Sequence, residues 1–238
     1  MPPLAKTLER STHSASVIHA PRSSAICKNP SQLIWVFMIM SIAGLVGETL
    51  QHYVAFNEWE SRAGLIWGPF SPIYGLAAVI MTVCLEALQR KNTVLLLVVG
   101  GIIGGGLEYF ASWAMETYWG VVAWSYLEAP LNFDGRTDVF HMIIWGTLGV
   151  LWVKIGLPLC QKVFDRINLQ GKLYRICTVL LSMYLVLDIA MTIAVLLRAD
   201  ARTHDVPPQN AFEQYCDDIY PNEVLSERFQ NMGGIGIA

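Results

Sequence analysis

The chain has 238 residues, of which 54% are hydrophobic and only 15% charged, and its net charge is −3. A water-soluble domain carries about 25% charged residues, so this composition excludes one and points to a membrane. The small net charge, with no basic face or stripe, excludes a nucleic-acid partner. Five scattered cysteines (Cys27, Cys84, Cys160, Cys177 and Cys216) form no CxxC pair or metal-ligand spacing, so no metal or other cofactor is expected.

Residues 1–31 carry no apolar core of a signal peptide and read as a disordered cytoplasmic arm. A transmembrane domain follows over 32–198. A helix needs about 20 mostly apolar residues to cross a bilayer. Runs at 33–56, 93–115, 139–159 and 176–197 meet that requirement, and a shorter run at 72–89 makes a fifth span. The predicted fold is therefore an all-α membrane bundle of about five helices, followed by an acidic tail over 199–238. Between the first two spans lies WGPFSPIYG (67–75), with two prolines, two glycines and three aromatics. Such a stiff external connector suits a re-entrant loop or a wall of a site, with Ser71 capping the second span and Pro72 in its first turn.

Lys and Arg set the orientation. Ten lie in the N-terminal arm, the 89–92 link and the 160–175 link; five lie in the opposite loops and the tail. The N-terminus is thus expected in the cytoplasm and the C-terminus outside, in the inner (cell) membrane. Lys154, near the basic end of the fourth span, is placed to snorkel.

Ionisable groups inside spans cost about 2.5–3.5 kcal/mol each on insertion scales, so they mark function or a structural pairing. Glu48, Glu108 and Asp188 each stand about 20 Å from the cytoplasmic edge at 1.5 Å per residue. Glu48 belongs to a stripe with Gly44 and His52. Glu108 belongs to one with Gly100, Gly104, Ser112 and Glu116. Small residues four apart let helices approach closely, so these acids are expected to face other helices. Arg62 and Arg136, one in each external loop, are the cations nearest to them. Thr137 or Asp138 suits the cap of the fourth span, where His141 could hydrogen-bond or carry a proton, and Tyr74 would line the acidic site beside the stiff loop. The same acids could instead only tie the bundle together. No GxxxxGK[ST], HExxH or GxSxG string occurs, and GGIIGGG (100–106) is a packing face within an apolar run.

Several longer strings then coincide: WGPFSPIYG after Arg62, GLEYFASW in the third span, WSYLEAPLNFDGR before the fourth, WGTLGV within it, and an aspartate, Asp188, in the last span. Together they resemble the bacterial ABC-transporter type IV permease family over about residues 34–232. The resemblance implies a multispan permease. The chain departs from a standard ABC permease in having five predicted spans and an 89–93 link too short to dock an ATPase. The remaining candidate for docking an ATPase subunit is the basic 160–175 segment.

The expected function is accordingly a permease-like transporter subunit, with Glu48, Glu108 and Asp188 forming a buried acidic site. Catalysis is not the expected role. Two alternatives stay open: a membrane enzyme acting on a lipid or isoprenoid-linked substrate, and a non-catalytic membrane partner. In the enzyme, Glu48, Glu108 and His141 would be acid–base groups, and Arg62 and Arg136 would hold a phosphate. The bilayer is the expected environment, and self-association is compatible with the small-residue stripes.

Overall fold

The computed structural model describes residues 26–230 except 121, 123 and 170. The arm predicted over 1–31 thus falls mostly outside the described residues. Its last part is folded: Ile26–Lys28 forms a 3₁₀ turn, and the N–H groups of Ile26 and Cys27 donate to the Glu86 carboxylate at 3.0 and 2.9 Å.

Eight α-helices follow among the described residues: α1 (Pro30–Phe56), α2 (Pro72–Leu85), α3 (Thr93–Trp119), α4 (Val139–Leu151), α5 (Leu157–Phe164), α6 (Lys172–Thr203), α7 (Ala211–Ile219) and α8 (Asn222–Arg228). A π-helical turn, Trp152–Gly156, joins α4 to α5. Among the described residues, four helices are long and apolar enough to cross a membrane: Pro30–Phe56, Thr93–Tyr118, Val139–Phe164 and Lys172–Thr203; Pro72–Leu88 is a shorter apolar helix. The chain is an all-α membrane bundle. Side chains such as Val54, Leu173, Val186 and Leu187 stand exposed on it, an apolar surface of the kind that lipid covers.

Side-chain caps start three of the long helices. Asn29 accepts from the N–H groups of Ser31 and Gln32 ahead of α1, Asn92 from Val94 ahead of α3, and Asp138 from His141 ahead of α4. α1 ends at Asn57 and α3 at Gly120, both left-handed. Ser71 is at the N-cap of α2, but its side chain makes no capping bond. Its N–H donates instead to Ser41 O, 3.0 Å away.

That bond explains why α2 is short. Ser41 lies fifteen residues before the end of α1, or about 22 Å at 1.5 Å per residue. The 57–71 loop therefore descends beside α1 to the middle of the bundle before α2 begins. Backbone can enter a membrane bundle only where its polar groups find partners. Here Ile66 N–H donates to Thr192 Oγ1 at 2.9 Å, Trp67 N–H to Asp188 Oδ1 at 3.0 Å, and Gly64 N–H to Phe70 O at 2.8 Å. The Arg228 guanidinium donates to Leu65 O and Gly68 O. Ala63, Leu65, Ile66 and Phe70 are buried, while Trp67, Gly68 and Pro69 stay exposed.

α3 and α4 form the most extensive helix pair. The glycine stripe of α3 makes this possible: a Cβ on Gly104 would lie 2.4 Å from the Trp145 Cβ. At the other end of the bundle, Lys154 Nζ donates to Gln89 O at 2.7 Å and Lys91 O at 3.2 Å.

α7 and α8 fold back over the end of α6 and the loop, burying Ile66, Val195, Ala199, Cys216, Leu225 and Phe229 together. Arg198 and Arg202 both grip Asp217, and their hydrogen bonds hold its carboxyl below the ordinary aspartate value of 3.8. The folded chain thus binds that proton more weakly than the unfolded chain. The stabilisation is complete above pH 3.8 and drains away as pH falls through the lower folded value. Pulsed hydrogen exchange should show α7 protected at pH 4–7 and opening at lower pH, with Asp217→Asn already open at pH 7. Unchanged protection in Asp217→Asn would refute this role.

Candidate functional site

α1, α2 and α4 line a cavity of about 800 Å³ that is open on one side, with Glu108 of α3 in its wall. The end nearest the 57–71 loop is polar and carries Glu48, His52, Arg62, Tyr74, Glu108, Tyr126 and His141. The rest is apolar, with Met40, Met81, Leu148, Leu151, Trp152 and Ile155.

Glu48 and His52 share the α1 face predicted from Gly44 onward. Gly44 is needed there because the Tyr74 ring rests on it; a Cβ would sit 2.1 Å from Tyr74 Cγ. That contact brings Tyr74 against the Glu48 carboxylate. Arg62 reaches the same spot from the loop. Its Nη2 lies 2.6 Å from His52 Nδ1 and 3.2 Å from Glu60 Oε2, and its Nη1 lies 3.8 Å from Glu48 Oε1. A guanidinium only donates, so His52 Nδ1 accepts and the imidazole proton sits on Nε2. That nitrogen is 2.8 Å from Glu60 Oε2. The two terminal nitrogens of Arg62 thus serve three partners, its buried Nε has no hydrogen-bond partner among the described residues, and the Glu48 side chain stays 28% exposed.

Glu108 is held differently. It is buried, and it accepts from Thr137 Oγ1 at 2.7 Å and from the Tyr126 hydroxyl at 2.9 Å. A short hairpin of Asn132–Phe133 paired with Thr137–Asp138 presents Thr137, and Gly135 makes its turn at φ +66°. Tyr126 N–H is tied to Gly135 O at 2.7 Å. Burial, then the adjacent Glu108 charge, pushes the Tyr126 phenol above its ordinary range, so it stays protonated and donates. The Tyr126 ring stacks on His141 with centroids 4.0 Å apart. His141 Nδ1 in turn lies 2.7 Å from Asp138 Oδ2. Burial alone would raise the Asp138 carboxyl, but the His141 backbone N–H and imidazole hold it below its usual value.

Of the residues singled out from sequence, Glu48, Glu108, Arg62, His141 and Tyr74 line this one cavity. Three others lie elsewhere. Asp188 is fully buried against the re-entrant loop, where Oδ1 accepts from Trp67 N–H and Oδ2 has no hydrogen-bond partner among the described residues. Arg136 points away from the cavity, 2.6 Å from Glu116 Oε2 and 3.4 Å from Ser112 Oγ. Glu116 is half exposed at the rim. Depth along each helix was legible in the sequence, but the direction of each face around the bundle was not. That is why Asp188 separates from the two glutamates. From sequence Thr137 stands only as a candidate cap and Tyr126 only as one aromatic of WSYLEAPLNFDGR. The signal that could have found them is the need of a buried Glu108 for donors.

A family model described as "Putative ABC-transporter type IV" matches residues 35–193. No curated protein and no solved structure matches the chain.

Proposed function

The chain belongs to this ABC-transporter type IV family, and from that membership we propose that it is a permease-like transporter subunit whose solute site is the polar end of the cavity. The observation that carries the proposal is the convergence of Glu48 and Glu108, from two different helices, on one cavity that also holds Arg62, Tyr74 and His141. Carboxylates placed inside spans and facing a cavity mark solute and proton pathways. Glu48 is the contact group. Glu108, satisfied by Thr137 and Tyr126, fixes the rear wall and carries charge or a proton as its surroundings demand. Asp188 serves the loop that walls the site, and Arg136 with Glu116 ties the hairpin to α3.

The basic residues of the connections support an N-terminus in the cytoplasm and α7–α8 outside, in the cell membrane. An ATPase subunit would then dock on the 160–175 face, where Val163 and Ile167 are exposed among Lys162 and Arg166. The phosphate-handling alternative loses support because Arg136 does not line the cavity and Arg62 is committed to His52, Glu60 and Glu48.

The test compares cells expressing the wild-type, Glu48→Gln and Glu108→Gln chains by untargeted mass spectrometry of cell contents and medium. Small molecules redistributed by the wild type should return at least tenfold toward the empty-vector distribution in both variants, with the proteins present at wild-type amounts in the membrane. Undiminished redistribution in both variants, or failure of both to accumulate, would overturn the proposal in favour of a structural role.

A further inference from the structure

The cavity is not a closed chamber but a groove with two unlike ends, and its shape constrains what it takes. Its lining on α4 and the π turn that follows runs from His141 to Ile155, fourteen residues or about 21 Å at the α-helical rise, more than the roughly 15 Å of hydrocarbon in one leaflet. Beyond the polar end its side chains are apolar. Its mouth is built of residues that face outward: Ala43, Gly47, Leu148, Leu151 and Ile155 are all exposed as well as lining it. A Cβ on Gly47 would meet nothing within 4 Å, so the α1 side of the mouth is open space. At 800 Å³ the groove has the volume of a small-ligand pocket.

The polar end selects by charge. Two carboxylates, Glu48 and Glu108, face one cation, Arg62. Arg62 is already bound by His52, Glu60 and Glu48, and His52 is fixed as a neutral acceptor toward it. His141 is committed to Asp138. The group left with open acceptor capacity is Glu48. A headgroup carrying a positive charge and N–H donors satisfies it, whereas a carboxylate or phosphate would meet it with like charge.

We infer that the groove binds a single-chain amphiphile with a cationic amine headgroup, taken in laterally from the bilayer, the amine on Glu48 and the chain along α4. The inference rests on the transporter site described above but concerns binding and not movement.

The full-length protein in nanodiscs is titrated with radiolabelled hexadecylamine and, separately, with hexadecanoate, each corrected for empty nanodiscs. The expected result is saturable binding of one amine per chain, at least tenfold tighter than the acid. Gly47→Trp, whose indole fills the mouth without displacing a packed group, should abolish it, and Glu48→Gln should weaken amine binding at least tenfold while strengthening, not weakening, that of the acid. Leu148→Trp, across the mouth, replaces Gly47→Trp if that variant fails to accumulate. Equal binding of amine and acid to the wild type, or full amine binding with the mouth blocked, overturns the inference. So does a groove that takes no amine and whose blocking variants instead lose self-association or a co-purifying membrane helix. Amine binding without any transported solute would leave this inference standing and sink the transporter reading. Transport of a water-soluble solute without amine binding would do the reverse.

Discussion

Replacing Arg228 with alanine should lower the stability of the folded chain by about 2–4 kcal/mol, the largest loss expected from any side chain outside the spans. Arg228 donates to Leu65 O at 2.9 and 2.7 Å and also to Gly68 O, and it is the cation facing Asp188. Its removal strands two carbonyls and a fully buried carboxylate at once. Leu65 and Asp188 are buried, so the stranded Leu65 carbonyl and Asp188 carboxylate each incur a desolvation penalty. For a chain of this size the loss corresponds to a melting point lowered by about 5–15 °C in detergent. Asp188→Asn in the same background should cost less than it does alone, because the charge it removes is already uncompensated. A melting point within 1–2 °C of wild type, on the scale of a surface change of about 0.5 kcal/mol, would show that the loop holds without its clasp.

Gly146→Ala should be the most damaging one-carbon change in the bundle, at about 1–3 kcal/mol of overpacking. The added Cβ would sit 2.2 Å from Leu97 O and 3.1 Å from Leu97 C. These are backbone atoms of the facing helix and cannot rotate aside, so α3 and α4 must separate along their whole contact. The same substitution at Gly47 meets open space and should be neutral or stabilising by up to about 1 kcal/mol, because alanine costs less helix entropy than glycine. Thermal unfolding of the two variants side by side separates crowding from helix propensity. Equal melting points would mean that α3 and α4 are not seated as closely as described.

The bundle itself could be read from the chain because the bilayer imposes a length, and the apolar runs met it. The first three helices begin within three residues of where those runs begin. α6 is longer at both ends than the predicted 176–197, reaching Lys172 and Thr203, because a helix continues past its apolar core wherever its last turns find partners. Arg198 and Arg202 find Asp217. The π turn at Trp152–Gly156 was not legible: no residue in WVKIG is forbidden an α-helix. Of the site, Glu48, Glu108, Arg62, Tyr74 and His141 could be named because costly or stiff residues stand out against an apolar background. Tyr126, Thr137 and Glu60 could not, because polar residues in loops are ordinary until a hairpin or a helix end aims them inward.

The descent of the 57–71 loop into the bundle also orders the events of synthesis. Its polar backbone depends on Asp188, Thr192 and Arg228, which leave the ribosome more than a hundred residues later. Until then the loop cannot rest at its final depth, since no lipid tail can replace those partners. α2, which starts only where the loop ends, must wait with it. The first hairpin is therefore completed by the last helix: a nascent chain halted before α8 holds its spans but not the wall of its own cavity.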